Sequence, residues 1–196
     1  EDSLALVMRT ARAFDDHEDE HERALARLLP ALGKYWHNKR GPGFMAEAME
    51  CLGGIGYVEE APLARLYREA PVNSIWEGSG NVICLDVLRV LARHPESIEA
   101  LRDELSAARG ISQHYDSAFA RLDTALGASS EELEANARWL TQCMAQCLQA
   151  SLLLKHAPEA IADTFCHSRL GNDVSPVYGV LPSDTPLDAI ISRITP

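Results

Sequence analysis

The 196-residue chain is 46% hydrophobic and 24% charged, a balance that excludes a disordered polypeptide and is enough to bury a sizeable core. Its net charge of −11, with acidic residues outnumbering basic ones in both halves, argues against a general nucleic-acid surface, because displacing counterions from phosphates needs clustered Lys and Arg. No stretch has the length and apolarity of a membrane-spanning helix, no signal peptide is visible, and the five cysteines (Cys51, Cys84, Cys143, Cys147, Cys166) lack framework spacing, which fits buried thiols in a reducing cytoplasm.

The chain opens at Glu1 in what already reads as helix and without an initiator Met, as a piece of a longer protein would. Leu4, Val7, Met8, Ala11 and Phe14 follow helical spacing and predict a helix that buries this stripe. An acidic run from Asp15 to Glu22 interrupts it. Within that run His17-Glu18-Asp19-Glu20-His21 matches H-E-x-x-H, in which two histidines one turn apart ligate zinc. Here the surrounding run is acidic throughout, so it reads as a solvated helix junction and no metal site is assigned. The apolar stripe resumes at Leu25, Leu28, Leu29, Leu32, Tyr35 and Trp36, with kinks or restarts predicted at Pro30 and Gly41-Pro42. Phe44, Met45, Ala48 and Leu52 carry it to Gly53-Gly54, a helix terminator.

After Tyr57 come Pro62, Arg65 and Arg68, and then the loop Pro71-Val-Asn-Ser-Ile-Trp-Glu-Gly-Ser-Gly-Asn81. Three features coincide in it. Glu77 sits beside Trp76, and a carboxylate held against aromatic surface is poorly solvated, a condition that suits a general base. Gly78 and Gly80 let backbone N–H groups approach a ligand, and a helix N-terminus follows directly. By spacing alone, such a loop is also an ordinary turn before a helix. From Val82 to Leu91 apolar residues lie nearly all round the helix, which predicts burial on more than one side.

Pro95 marks a boundary. Ile98, Leu101, Leu105 and Ala108 form one stripe ended by Gly110, and Tyr115, Phe119, Leu122 and Leu126 form another ended by Gly127, together an antiparallel pair. Ser129-x-x-Glu132 is a capping box that opens the longest uninterrupted helix, through to His156 before Pro158. Cys143 and Cys147 share a face of it and read as small core residues. A last amphipathic helix, carrying Cys166-His167, runs to about Leu170. The tail has prolines at 176, 182, 186 and 196 and a short helix between Pro186 and Arg193. No strand-like alternation is sustained, so an all-α fold of about seven to nine helices is expected.

The order of Ala46-Glu-Ala-Met-Glu50, Gly53-Gly-Ile-Gly-Tyr57 and Leu66-Tyr-Arg-Glu-Ala-Pro-Val-Asn-Ser-Ile-Trp-Glu-Gly-Ser-Gly-Asn81 resembles the C-terminal helical domain of the acyl-CoA dehydrogenase flavoproteins, and their AidB branch in particular. The likeness is dense from Phe14 to Leu91. It implies a C-terminal four-helix-bundle part at 1–94 with the catalytic Glu loop, and an AidB-like helical extension at 95–196. It implies α,β-dehydrogenation of an acyl-CoA thioester with hydride passed to FAD, Glu77 as the base, and the Glu77 backbone N–H on the thioester carbonyl. Gly53, Gly54 and Tyr57 correspond to a turn near the FAD of a neighbouring subunit. Ile75, Trp76, Gly78, Ser79, Gly80 and Asn81 are the other cofactor candidates, with Ser79 and Asn81 standing where the common pattern has Thr and Gln. The intact protein is implied to be a homotetramer; the family's β-sheet domain is absent from this chain. Two other readings stay open: a DNA-associated protein of the alkylation-damage response, which the acidic balance disfavours, and a helical oligomerisation module.

Overall fold

The computed structural model describes residues 1–171 and 174–193, so Pro196 of the tail lies outside it. Among them there are eleven α-helices and no strand: α1 (Asp2–Asp15), α2 (Glu20–Cys51), α3 (Gly54–Tyr57), α4 (Pro62–Glu69), α5 (Gly80–Arg93), α6 (Pro95–Ser106), α7 (Gln113–Leu126), α8 (Ser130–Ala135), α9 (Ala137–His156), α10 (Glu159–Leu170) and α11 (Leu187–Ile191). A 3-10 turn, Ala70–Ser74, precedes the Glu77 loop. The fold is all-α as expected. The helices outnumber seven to nine because short pieces such as α3 and α8 stand as separate elements.

Local chemistry sets the boundaries. The acidic run contains the α1–α2 junction, where the Asp19 side chain accepts a hydrogen bond from the Glu22 N–H at 3.0 Å and caps α2. Gly53, at φ 61, ends α2 in the left-handed region. Pro95 takes the first position of α6, where its missing N–H costs nothing.

Two helix expectations are corrected. α2 runs unbroken through Pro30 and Pro42. An interior proline costs about 3 kcal/mol, but Leu25, Leu28, Leu29 and Leu32 are all fully buried, each contributing roughly 1.5–3 kcal/mol, and α1, α5, α6 and α9 all pack along the helix. The Ser129–Glu132 capping box is present but opens only α8. At Asn136 the side-chain amide donates to the Glu132 carbonyl at 2.9 Å, a local alternative to the helical ladder, and α9 starts afresh at Ala137. The longest helix is therefore α2.

α9 is the centre of the molecule, packing on α1, α2, α5, α6, α7 and α10. One apolar cluster joins Leu6, Leu28, Leu32 and Val87 to Leu105, Tyr115, Leu122, Met144 and Leu148, so residues on both sides of Pro95 share a core. α7 lies on α9 and α10, and it meets α6 through the Tyr115 hydroxyl, which donates to the Leu105 carbonyl at 2.6 Å, and through Arg102–Asp123 at 2.8 Å. Cys147 is buried in the core, and burial pushes the half-buried Cys143 thiol up to about 11, as small packed residues require.

Three predicted apolar faces are open. On α1 the stripe Leu4, Val7, Met8, Ala11 and Phe14 faces outward, with Leu4 63% and Met8 61% exposed, while Leu6, Arg9 and Ala13 face in. Phe44 and Leu52 at the end of α2 are exposed, as are Val82 and Leu85 on α5, whose buried side is limited to residues such as Ile83, Cys84, Val87 and Leu91. The inward face of α1 is held by charge rather than by its most apolar stripe: Arg9 forks onto Glu22 and Glu104.

Candidate active site

The Glu77 loop is laid along the middle of α2 and tied there by backbone carbonyls. Lys34 Nζ donates to the carbonyls of Asn73 (2.9 Å) and Trp76 (2.8 Å), and Asn38 Nδ2 donates to Asn73 (2.8 Å). The N–H groups of Ile75 and Trp76 both donate to the Val72 carbonyl. Beneath lies a small cluster of Tyr35, Ile83, Cys84 and Ala137, and the Tyr35 hydroxyl accepts from Arg138 Nε at 3.3 Å, so α9 supplies part of the floor. Burial raises the Cys84 thiol, which makes it packing material rather than a nucleophile.

This anchoring forces the backbone at the candidate base. Glu77 has φ 57 and is the one non-glycine residue at positive φ among the described residues, a conformation that costs on the order of 1–2 kcal/mol. Gly78 follows at φ 119, where a Cβ would also come within 2.9 Å of Ile83 Cδ1, and a Cβ at Gly80 would overlap Lys39 Cε. Ser79, extended at φ −69, is the N-cap of α5, and its carbonyl accepts from the Ile83 N–H at 3.0 Å. Asn81 begins the exposed face of α5. A strained carboxylate-bearing residue followed directly by a glycine at φ 119 makes a loop shaped to present Glu77.

Glu77 and Trp76 are both exposed, so the poorly solvated setting expected of Glu77 does not exist in this chain by itself. The Glu77 side chain has no hydrogen-bond or ion-pair partner among the described residues; Arg68 is taken by Glu59 at 2.6 and 2.9 Å. Nor does Glu77 cap α5.

The second glycine turn is elsewhere. Gly53 and Gly54 are exposed, Tyr57 is 76% exposed, and Gly56 is pressed on the Met49 carbonyl, where a Cβ would overlap backbone. From Asn38 to Cys51, α2 spans about 20 Å at 1.5 Å per residue, so Gly53, Gly54 and Tyr57 stand apart from Ile75, Trp76, Gly78, Ser79, Gly80 and Asn81. Within one chain the two sets do not line a common pocket. No three His, Cys, Asp or Glu side chains converge as a metal site among the described residues, and His17 to Glu20 form the exposed junction.

Sequence reading missed Lys34 and Asn38. Their spacing of four places both on one face of α2, the only hint that they act together. Replacing Lys34 by Met should free the Trp76 carbonyl and loosen residues 75–79. Losing both charged hydrogen bonds, about 3 kcal/mol together, should speed amide exchange there roughly a hundredfold, with α9 protection unchanged. Equal protection in the parent and K34M chains would show that the tether does not hold the loop.

Comparison with known proteins gives a consistent answer. Residues 1–92 match the family profile described as acyl-CoA dehydrogenase, C-terminal domain. The chain is 44% identical over 173 residues to AidB of Escherichia coli (strain K12), covering 87% of this chain and 31% of that protein. It is 28% identical over 180 residues to acyl-CoA dehydrogenase family member 11 of Caenorhabditis elegans, covering 81% of this chain and 29% of that one. The structure of Caenorhabditis elegans ACDH-11 in complex with C11-CoA aligns with a TM-score of 0.72 at 24% identity, covering 89% of this chain and 35% of that one.

The chain thus belongs to the acyl-CoA dehydrogenase family, with the match to its C-terminal domain confined to residues 1–92. Within that family it is AidB-like, and it spans less than a third of the length of these curated relatives.

Proposed function

We propose that this chain is the C-terminal part of a flavin-dependent acyl-CoA dehydrogenase-like protein in which Glu77 removes the α-proton of an acyl-CoA thioester. The observation that carries the proposal is the strained, tethered Glu77 with its side chain unpartnered and presented outward. A residue kept in a costly conformation with no structural bond to its own side chain has chemistry as its reason. That the Caenorhabditis elegans relative holds C11-CoA supports acyl-CoA as the substrate class.

The two glycine turns suit a large planar cofactor, because Gly53, Gly54, Ser79 and Asn81 are exposed, Gly78 half-exposed, and exposed apolar side chains stand beside them: Tyr57 next to Gly53 and Gly54, and Trp76 and Ile75 next to Gly78, Ser79, Gly80 and Asn81. Their separation fits contact with two FAD molecules in an assembly better than with one. FAD, when bound, supplies the acceptor for the β-hydrogen as hydride. The work of this chain is to place the Glu77 carboxylate at the α-carbon, to take its proton there, and to offer the Glu77 backbone N–H to the thioester oxygen, where negative charge develops. Water exclusion comes from whatever covers Trp76 in the intact protein. On this reading the isolated 196-residue chain is inactive.

We further assign 1–94 to the catalytic bundle and 95–196 to an AidB-like extension, although both build one core. The open faces of α1 (Leu4, Met8, Phe14) and α5 (Val82, Leu85) support self-association of the intact protein, as a homotetramer, and thiols that burial pushes up and leaves inert, such as Cys143, fit a cytoplasmic setting. No helix among the described residues is long and apolar enough to cross a membrane. The deciding measurement is anaerobic bleaching of the flavin on adding acyl-CoA to the intact protein; a bound flavin that no acyl-CoA reduces would sink the proposal.

A DNA-associated role is the competing reading. Net charge of −11 repels phosphate at long range, and Arg89, one of its few cations near the loop, is paired with Asp86. Duplex DNA should accordingly bind this chain only weakly at physiological salt, and a submicromolar gel-shift affinity under those conditions would favour the DNA reading instead.

A further inference from the structure

A mostly apolar cavity of about 620 Å³ lies away from the Glu77 loop, between the start of α1, the middle of α2, α10 and the segment from Tyr178 to Ile191. Its volume is within the roughly 300–1,000 Å³ of small-molecule sites. Phe44, Leu153, Ile161, Phe165, Leu181 and Ile190 form an apolar wall. At the other end two guanidinium groups share one ring: Arg40 lies 5.4 Å and Arg169 5.8 Å from the Tyr178 centroid.

The charges there do not balance. Arg40 is paired with Asp2 at 3.3 Å, and Glu1 with Arg193 at 2.5 Å. Arg169 is half-buried and has no carboxylate partner among the described residues, although the chain as a whole carries eleven more acidic than basic groups. Burial, and then the neighbouring charge of Arg40, push the Arg169 pKa down, which the attraction of Asp2, itself bonded to Arg40, only partly offsets. His37 Nε2, on the same cavity, is buried without a hydrogen-bond partner, and burial keeps that imidazole below its usual pKa. Partly buried polar groups left this way are costly unless something else completes them.

We propose that this cavity binds an amphipathic carboxylate, with its alkyl tail along the apolar wall and its carboxylate on the Arg169 guanidinium beside Arg40. Among the described residues one cation here is left without a carboxylate, which matches a monoanion, and the planar guanidinium fork fits a carboxylate through two parallel hydrogen bonds. The apolar wall selects against small inorganic anions, which gain nothing from it.

The test is calorimetric titration of the intact protein with decanoate, decanol and inorganic phosphate. Decanoate should bind saturably. Decanol should bind about ten- to a hundredfold more weakly, the range expected for losing a charged hydrogen bond, and phosphate should neither bind measurably nor compete. Arg169→Met should lower decanoate affinity by a similar factor and Arg169→Lys should recover part of it, whereas flavin reduction by acyl-CoA should stay at the parent rate in R169M, which separates this site from the candidate active site. No decanoate binding by the unmodified protein, equal affinity for decanol, competition by phosphate, or unchanged decanoate binding in R169M would each overturn the proposal.

Discussion

Glu77→Gln in the intact protein is expected to slow flavin reduction by acyl-CoA by about 10²- to 10⁴-fold while FAD content and thermal stability stay at parent values. Gln is nearly isosteric with Glu and keeps the backbone N–H that faces the thioester, but it cannot accept the α-proton. The structure adds a reason to expect a clean separation of activity from stability. The loop is held through main-chain carbonyls of Asn73 and Trp76, bonded to Lys34 and Asn38, and through the conformations of Gly78 and Gly80. None of these uses the Glu77 carboxylate. Ser79 stands at the N-cap position of α5, which no side chain caps, and Glu59 occupies Arg68, so the Glu77 carboxylate performs neither of the structural tasks a glutamate here could take. An exposed side chain without partners changes stability by no more than about 0.5 kcal/mol when replaced. A Gln variant that reduces flavin at the parent rate would remove Glu77 as the base. A variant that loses stability in step with activity would assign it a structural role.

Much of this arrangement could be read from the residues, for identifiable reasons. The α2 stripe from Leu25 to Trp36 is buried as its spacing requires, and the glycines of the Glu77 loop mark backbone that side chains cannot follow. The orientation of α1 could not be read, because its more apolar face is the open one. Periodicity ranks faces by hydrophobicity, and Arg9 is placed inward by partners on α2 and α6 that lie 13 and 95 residues away in sequence. α5 fails in the related way: apolar residues all round a helix announce that something covers them, and Val82 and Leu85 show that in this chain nothing does. The tether of the Glu77 loop was hidden because Lys34 and Asn38 look like ordinary solvated residues until the loop is laid across them.

Glu104→Ala is expected to destabilise the 196-residue chain by about 3–5 kcal/mol, the cost of leaving a buried ion pair without one partner. Glu104 accepts from Arg9 Nε at 3.0 Å and Nη2 at 2.9 Å, and from Lys155 Nζ at 2.8 Å, while Arg9 also reaches Glu22 at 2.7 and 3.1 Å. The side chains of Arg9 and Glu22 are 7% exposed and that of Glu104 11%, so water cannot take over from the missing carboxylate. An exposed pair such as Arg68–Glu59 should cost less than about 1 kcal/mol when broken. Burial works against the charge of Glu104, but the hydrogen bonds from Arg9 and Lys155 outweigh it and hold its carboxyl below the ordinary glutamate range. A folded-state pKa lowered in this way gives stability that is fully present above the unfolded value, about 4.3, and lost as pH falls through the folded one. The parent should therefore lose stability on acidification below about pH 4.3 more steeply than the Ala variant. The four charges come from α1, α2, α6 and α9, on both sides of Pro95, and the apolar core crosses the same boundary. Urea unfolding should accordingly remain one transition in the parent, with a lower midpoint in E104A. An unfolding free energy within about 1 kcal/mol of the parent would mean that the core alone joins the two parts of the chain, and that the inward turn of Arg9 adds nothing to its stability.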